Sequence, residues 1–274
     1  MIISKREIKE LSADIRKIID GQNIDLRDNH EGAWSILKND IFTLAALKNE
    51  QVDALGRERD MLKDRLADIS HQIKTPLTSM SLMTDLLETA PPDKQSEFIA
   101  NIRASLNRTE WLVSSLLKMA KLEAGAVEFS HTAIKSSALI DLSIAPLQIL
   151  LDMKNQRIAT EGEAELYCDS RWTSEALTNI LKNASEHSPE NATLTIRSGA
   201  NPVCAYISVT DCGTGIPKTE ISGLFTRFKG SRSDTGYGIG LPLALAIMRS
   251  QNGDIEVFGG NRKTGATLTL KFYK

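Results

Sequence analysis

The chain has 274 residues, of which 41% are hydrophobic and 25% charged, proportions of folded domains that exclude a disordered chain and leave room for more than one compact unit. Thirty-three Lys and Arg stand against 35 Asp and Glu, a formal net charge of −2, so no global basic field draws the chain to nucleic acid. Cys168, Cys204 and Cys212 are odd in number and lack the paired spacing of a zinc site, and they read as small buried side chains in a reducing compartment.

Taken in order, residues 4–20 place Ile8, Leu11, Ile15 and Ile19 at helical spacing, and Gly21 stands where that helix would stop. A polar connector runs from there to about His30. From Glu31 to about Leu87 the only glycines are Gly32 and Gly56 and the only proline is Pro76, so the stretch reads as one long helix or two stacked ones. Within it Leu66, Ile69, Ile73, Pro76, Met80, Met83 and Leu87 alternate steps of three and four, a seven-residue seam suited to a helical bundle. With Leu66 at position a, His71 falls at position f and points away from the seam.

Ala90-Pro91-Pro92-Asp93 forms a turn, after which Phe98, Ile102, Leu106, Val113, Leu116 and Ala120 repeat at helical spacing. The two patterns predict an antiparallel helical hairpin. A lone hairpin leaves its seam uncovered, so a four-helix bundle formed with a second copy is expected. Beyond Gly125, helices are expected near 138–154, 171–187 and 240–251, and strands near 193–196, 205–209, 254–258 and 266–272. The predicted fold is therefore multidomain, with an N-terminal α-helical region followed by an α+β two-layer sandwich. The expected divisions are 1–58, 59–126 and 127–274. No run approaches the roughly 18 apolar residues of a membrane span, and MIISKREIKE is not a signal peptide, so the chain as given is expected to be soluble.

A histidine on the outer face of a helix gains nothing from packing. In Ser70-His71-Gln72-Ile73-Lys74-Thr75-Pro76-Leu77, Thr75 lies one turn after His71 on the same face, and Pro76 removes a backbone hydrogen bond beside it, which would loosen or bend the helix. Imidazole is largely neutral at pH 7, so one ring nitrogen has a lone pair able to attack phosphorus without a strong base. A neighbour that accepts a hydrogen bond from the other ring N–H would fix the tautomer. A solvated surface histidine and a plain helical Thr75 are the competing readings.

Farther on, Asn179, Asn183 and His187 recur every four residues on one helix face, and amide oxygens suit Mg²⁺. Asp211-Cys212-Gly213-Thr214-Gly215-Ile216-Pro217 comes directly after a strand. Leu224-Phe225-Thr226-Arg227-Phe228-Lys229 and Gly236-Tyr237-Gly238-Ile239-Gly240-Leu241 flank the polar stretch 230–235, which suits a short lid. The helix starting near Gly240 would aim N–H groups at an anion. No G-x-x-x-x-G-K-[ST] loop occurs, and the glycine triplet does not come after the first strand of a βαβ unit, which argues against a dinucleotide fold. Gly265-Ala266-Thr267 is a last, weaker glycine element. Taken singly, these could be a polar helix face, a strand-ending turn and a surface Arg capping a helix.

In this order and spacing the motifs resemble those of two-component sensor histidine kinases. His71, Thr75 and Pro76 match the phosphoacceptor box, whereas Gln72 stands where that family usually has Glu or Asp. The resemblance implies that His71 is phosphorylated, that Gln72 serves it with a carboxamide instead of a carboxylate, and that Thr75 takes part in dephosphorylating the partner. It assigns Asn183 to Mg²⁺, Asn179 and His187 to ATP, Asp211 to the adenine amino group, and Arg227 to the γ-phosphate. Gly213 and Gly215, together with Gly236, Gly238 and Gly240 and with Thr267, belong to its glycine boxes. Glu186 departs from a usual Lys or Arg. The gyrase, mismatch-repair and heat-shock chaperone ATPases share the asparagine and glycine boxes but lack the histidine hairpin.

The first 58 residues resemble a HAMP-type signalling linker, although a dimerising coiled coil explains them nearly as well. The resemblance as a whole implies an ATP- and Mg²⁺-dependent protein histidine kinase. It would be homodimeric, with a response regulator receiver domain as partner, and would form the cytoplasmic portion of a sensor whose membrane segment lies outside this chain. The rival expectation is a catalytically silent, nucleotide-binding dimeric scaffold.

Overall fold

The computed structural model describes residues 4–19, 22, 24–27, 32–228, 238–261 and 265–274. They fall into two units, one up to His71 and one from Gln72 to the C-terminus. In the first, helix α1 (Lys5–Ile19) begins with a reciprocal cap: Ser4 N–H donates to Glu7 Oε2 at 2.7 Å and Glu7 N–H to Ser4 Oγ at 3.2 Å. Its Ile15, Ile18 and Ile19 form a groove with Ile41, Leu44 and Ala45 of α2 (Ala33–Thr89). From the connector, Arg27 lies over the Phe42 ring, 4.6 Å from its centroid. Gly21 and Glu31, which carried part of the signalling-linker resemblance, lie outside the described residues.

Of the two possibilities, one helix or two, the structure has one: α2 runs unbroken through Pro76. At 1.5 Å per residue it is about 85 Å long. From Ile69 to Leu87 the seam residues are shielded, with Pro76 buried, while Leu66, where the seam begins, and His71 are exposed. The second helix, α3 (Pro92–Glu123), starts with Pro at its first turn, where the missing N–H costs nothing.

Its shielded face differs from the expected one. The line runs through Phe98, Ile102, Ser105, Thr109, Leu112, Leu116, Met119 and Leu122, whereas Leu106, Val113 and Ala120 are exposed. The cause is tertiary: Leu112, Met119 and Leu122 join the core of the C-terminal domain, with Ile73, Trp111 and Leu116 packed against it. Residues at the intervening heptad position are left outside.

The C-terminal domain contains β1 (Thr132–Lys135), α4 (Ser136–Ile144), a 3-10 turn (Ala145–Leu147), α5 (Gln148–Met153), β2 (Arg157–Glu161), β3 (Glu165–Cys168), α6 (Ser170–His187), β4 (Thr193–Ala200), β5 (Cys204–Thr210), α7 (Lys218–Ile221), α8 (Gly240–Arg249), β6 (Gly253–Asn261) and β7 (Gly265–Tyr273). A mixed sheet has strand order β2-β4-β5-β7-β6, with β2 and β4 parallel and the other pairs antiparallel. A small antiparallel pair, β1-β3, lies apart.

Alternation along the strands buries Leu194, Ile196, Ile207, Val209, Leu268 and Leu270 against Leu177, Ile180 and Leu181 of α6 and Leu243 and Ile247 of α8. This is the expected two-layer sandwich, with β1, β2, β3 and α7 added to the expected elements. Asp169 caps α6, accepting Trp172 N–H at 3.0 Å on one carboxylate oxygen and Ser130 N–H at 2.9 Å on the other.

Two expectations need correction. The segment Ser136–Met153 has the length and composition of a membrane span, with a mean hydropathy of 1.3. It is apolar because Leu139, Ile140, Leu147 and Leu151 lie in the core, and the 3-10 turn divides it. Cys168 and Cys204 are buried as expected, and burial raises the Cys168 thiol pKa, but Cys212 is exposed because it lies in the loop after β5.

Candidate functional site

On α2, His71 and Thr75 are exposed one turn apart, with Gln72 and Ile73 half-buried between them. The polar pair thus shares the outer face, as the heptad arithmetic requires.

On α6, the N-cap at Asp169 and the buried stripe Thr173, Ala176, Leu177, Ile180, Leu181 and Ala184 fix which face points out of the core. Asn179 is buried and donates from Nδ2 to Glu175 O at 3.0 Å. A Cβ on Gly240 would stand 3.0 Å from Asn179 Oδ1, so glycine lets the start of α8 approach this carboxamide. Asn183, one turn on, is half-buried, and its carboxamide has no hydrogen bond among the described residues. His187 is exposed in the last turn. Glu186 lies 3.9 Å from Lys182, which itself sits 5.0 Å from the centroid of Trp111. A cation therefore accompanies the unexpected carboxylate.

No group of three or more His, Cys, Asp or Glu gathers to hold a metal among the described residues. A hard amide oxygen at Asn183, without a hydrogen bond among the described residues, fits an ion that arrives with phosphate and water as its other ligands, which is how Mg²⁺ binds.

Asp211 is the best-defined group of the site. It is 6% exposed. Its Oδ1 accepts Gly213 N–H at 2.8 Å and Ala266 N–H at 2.9 Å. Oδ2 has no partner among the described residues. One oxygen is thus anchored by the loop, and the other is left as an acceptor for a donor from outside, such as an exocyclic amino group. Gly265, at φ +62°, makes this possible, because a Cβ there would fall 1.9 Å from Asp211 O. Beside it, on paired strands, the Thr210 and Thr267 hydroxyls are 2.9 Å apart. Gly213 is buried against His187 O, and Gly215 takes φ +77° in the same loop.

Phe228 adopts φ +61°, rare for an aromatic residue, and donates its N–H to Gly238 O at 3.1 Å. This ties the 224–228 segment to the glycine stretch that opens α8. Arg227 therefore sits at the edge of that stretch, and its Nη2 donates to Glu123 Oε1 at the end of α3. Gly236 and the expected lid, 230–235, lie outside the described residues.

Sequence reading missed Gln156. Buried, it donates from Nε2 to Ser185 O, Ser188 O and Pro189 O at 3.1, 3.2 and 3.0 Å, and its Oε1 accepts Ser185 Oγ–H at 2.6 Å. Ser188 Oγ in turn accepts Cys212 N–H at 3.0 Å. Gln156 thereby holds the end of α6 against the loop that carries Asp211. Its setting in Lys154-Asn155-Gln156-Arg157 reads as a plain polar turn, so nothing local signals this role. Also missed was Lys118 of α3, whose Nζ donates to both carboxylate oxygens of Glu175 on α6 at 2.7 and 2.6 Å.

Residues 61–125 match the His Kinase A (phospho-acceptor) domain family, and residues 168–274 match the histidine kinase-, DNA gyrase B- and HSP90-like ATPase family. Over 250 residues the chain is 26% identical to sensor histidine kinase MtrB of Mycobacterium leprae (strain TN), covering 81% of this chain and 42% of that protein. It is 29% identical over 220 residues to sensor histidine kinase WalK of Bacillus subtilis (strain 168), covering 76% of this chain and 36% of WalK. The chain thus spans less than half the length of these relatives. Histidine kinase ThkA, solved in complex with response regulator protein TrrA, shares the fold with a TM-score of 0.65 at 20% identity, covering 83% of this chain and 66% of that one.

Proposed function

We propose that this chain, which belongs to the two-component sensor histidine kinases, transfers the γ-phosphoryl group of Mg-ATP to His71 and passes it to an aspartate of a response regulator. The observation that carries the proposal is the divided Asp211 carboxylate, with Oδ1 held by two backbone N–H groups and Oδ2 open to the adenine amino group. That geometry supports an amino-bearing base such as adenine at one end of a site whose other residues, Asn183 and Arg227, suit phosphate and its cation. Incubating the chain with γ-labelled Mg-ATP is expected to yield protein-bound label that is labile in acid and stable in base. Absence of such label would leave a silent nucleotide-binding scaffold.

In the transfer, a ring nitrogen of His71 forms the N–P bond as the bond from Pγ to the β,γ-bridging oxygen breaks and ADP leaves. Gln72 Oε1 accepts a hydrogen bond from the other ring N–H, which orients the ring. Arg227 and the N-terminus of α8 hold the phosphates in line. Asn183 would hold Mg²⁺, which would supply charge neutralisation at the phosphates.

Because a carboxamide accepts the same hydrogen bond but carries no charge, Gln72→Glu is expected to speed autophosphorylation about tenfold, less than the roughly 10²- to 10⁴-fold of a full general base. A rate at or below the parent's in single-turnover labelling would overturn this. Thr75→Ala is expected to keep autophosphorylation and lose dephosphorylation of the regulator, the two monitored side by side on one preparation. Loss of both, or of neither, would remove Thr75 from that role.

The chain is a homodimer in this reading. Support comes from the apolar residues left exposed on α3 (Ile99, Leu106, Val113 and Leu117) and on α2 (Leu77, Leu82 and Leu86), enough for a second hairpin to cover. The working divisions are 59–126 for the phosphoacceptor hairpin and 127–274 for the ATP-binding domain, with 1–58 as signalling helices. The response regulator as partner is supported by the complex that ThkA forms with TrrA. The chain is read as the cytoplasmic part of a membrane-bound sensor.

A further inference from the structure

We propose that Glu123, the last residue of α3, determines how strongly the nucleotide site prefers ATP over ADP, by competing with the γ-phosphate for Arg227. The inference rests on reading Arg227 as the γ-phosphate cation. Arg227 Nη2 donates to Glu123 Oε1, with the two side chains 21% and 49% exposed.

Three features show that this pairing is built. Leu112, Met119 and Leu122 bury one face of α3 in the core of the C-terminal domain. Lys118 grips both oxygens of Glu175 about one and a half turns before Glu123. From the other side, the left-handed Phe228 and its hydrogen bond to Gly238 O fix the backbone of Arg227 at the edge of the glycine stretch. Glu123 is therefore delivered to Arg227 by a packed interface, at the point where α3 stops and Gly125 turns the chain with φ +63°.

A guanidinium prefers a doubly charged phosphate to a single carboxylate oxygen, because phosphate offers more charge and more acceptors to its planar fork. When ATP binds, Arg227 must exchange Glu123 for the γ-phosphate. ADP has no γ-phosphate and leaves the pair in place. Glu123 thus weakens ATP binding without touching ADP binding. By linkage, ATP in turn loosens the grip of α3 on the domain at Glu123 while Lys118–Glu175 persists. The pair is half-exposed, so the expected effect is about two- to fivefold.

The test is equilibrium binding of Mg-ADP and of a non-hydrolysable Mg-ATP analogue to the full chain and its Glu123→Gln, Arg227→Ala and doubly substituted forms. Glu123→Gln is expected to raise affinity for the ATP analogue about two- to fivefold and leave ADP unchanged. Arg227→Ala is expected to remove most of the preference for the analogue and to make Glu123→Gln silent in the double variant. If Arg227→Ala leaves the preference intact, the γ-phosphate assignment of Arg227 fails, and the competition with it. If Arg227→Ala removes the preference but Glu123→Gln changes nothing, or shifts both nucleotides equally, the competition alone is overturned.

Discussion

Replacing His71 with Ala is expected to abolish incorporation of label from γ-labelled Mg-ATP while leaving nucleotide affinity and thermal stability at the parent's level. The loss is expected to be total because the proposed mechanism makes the imidazole the nucleophile: without its lone pair no N–P bond forms, and positioning by the residues assigned to the nucleotide does not replace it. The sparing of stability comes from exposure. The ring lies on the outer face of α2, away from the shielded seam, and surface substitutions of this kind change stability by about 0.5 kcal/mol or less. Nucleotide binding is spared because the residues assigned to it all belong to the C-terminal domain. The measurement pairs gel-resolved labelling with a nucleotide titration on the same protein. Undiminished label in His71→Ala would move the phosphoacceptor elsewhere.

Asp211→Asn is expected to weaken binding of ATP and ADP by the same factor, about ten- to a hundredfold, without unfolding the domain. Asparagine keeps an oxygen, and the N–H groups of Gly213 and Ala266 at 2.8 and 2.9 Å hold that oxygen where Oδ1 now stands. The amide nitrogen is thereby forced into the place of Oδ2. A donor then faces the adenine amino donor, and a charged hydrogen bond worth about 1.5–3 kcal/mol is lost. At about 1.4 kcal/mol per tenfold, that is the stated range. Asp211→Ala is expected to do more damage, because it also leaves both N–H groups without an acceptor, at about 1–3 kcal/mol each. Calorimetric titration with both nucleotides, beside thermal melts, separates the two variants. Unchanged affinity in Asp211→Asn would remove Asp211 from base recognition. A loss confined to ATP would place its effect at the phosphate end.

The placement of most candidate site residues was legible because they fall in short, ordered motifs. The i, i+4 recurrence of Asn179, Asn183 and His187 needs only the helical period, and the outward placement of His71 needs only the heptad count from Leu66. The four strands at 193–196, 205–209, 254–258 and 266–272 were legible because half-buried strands alternate. The short strands β1, β2 and β3 were not, since four or five residues with one exposed face carry too little pattern. Cys212 was expected inside on the strength of its residue type, but the loop that presents Asp211 turns it outward. The face of α3 was misjudged for a related reason: Leu112 and Val113 are equally apolar, and periodicity alone does not say which of two adjacent stripes meets a domain that lies later in the chain.

Gln156 and Glu123 mark the limit of what is local. Gln156 acts on α6 about thirty residues away, and Glu123 meets Arg227 across about a hundred. No spacing rule links either pair. The amino-acid order by itself determined the content of each element: the helical seam with an outward imidazole, the polar line on α6, the alternating strands and the glycine-rich loops. These arise from backbone periodicities of 3.6 and 2 residues and from the backbone freedom of glycine, all of which act over a few residues. Tertiary structure alone decided which stripe of α3 is buried, which oxygen of Asp211 the backbone N–H groups hold, and which carboxylate holds Arg227. Each of these depends on groups distant in the chain meeting at about 3 Å, a proximity that only the packed core enforces.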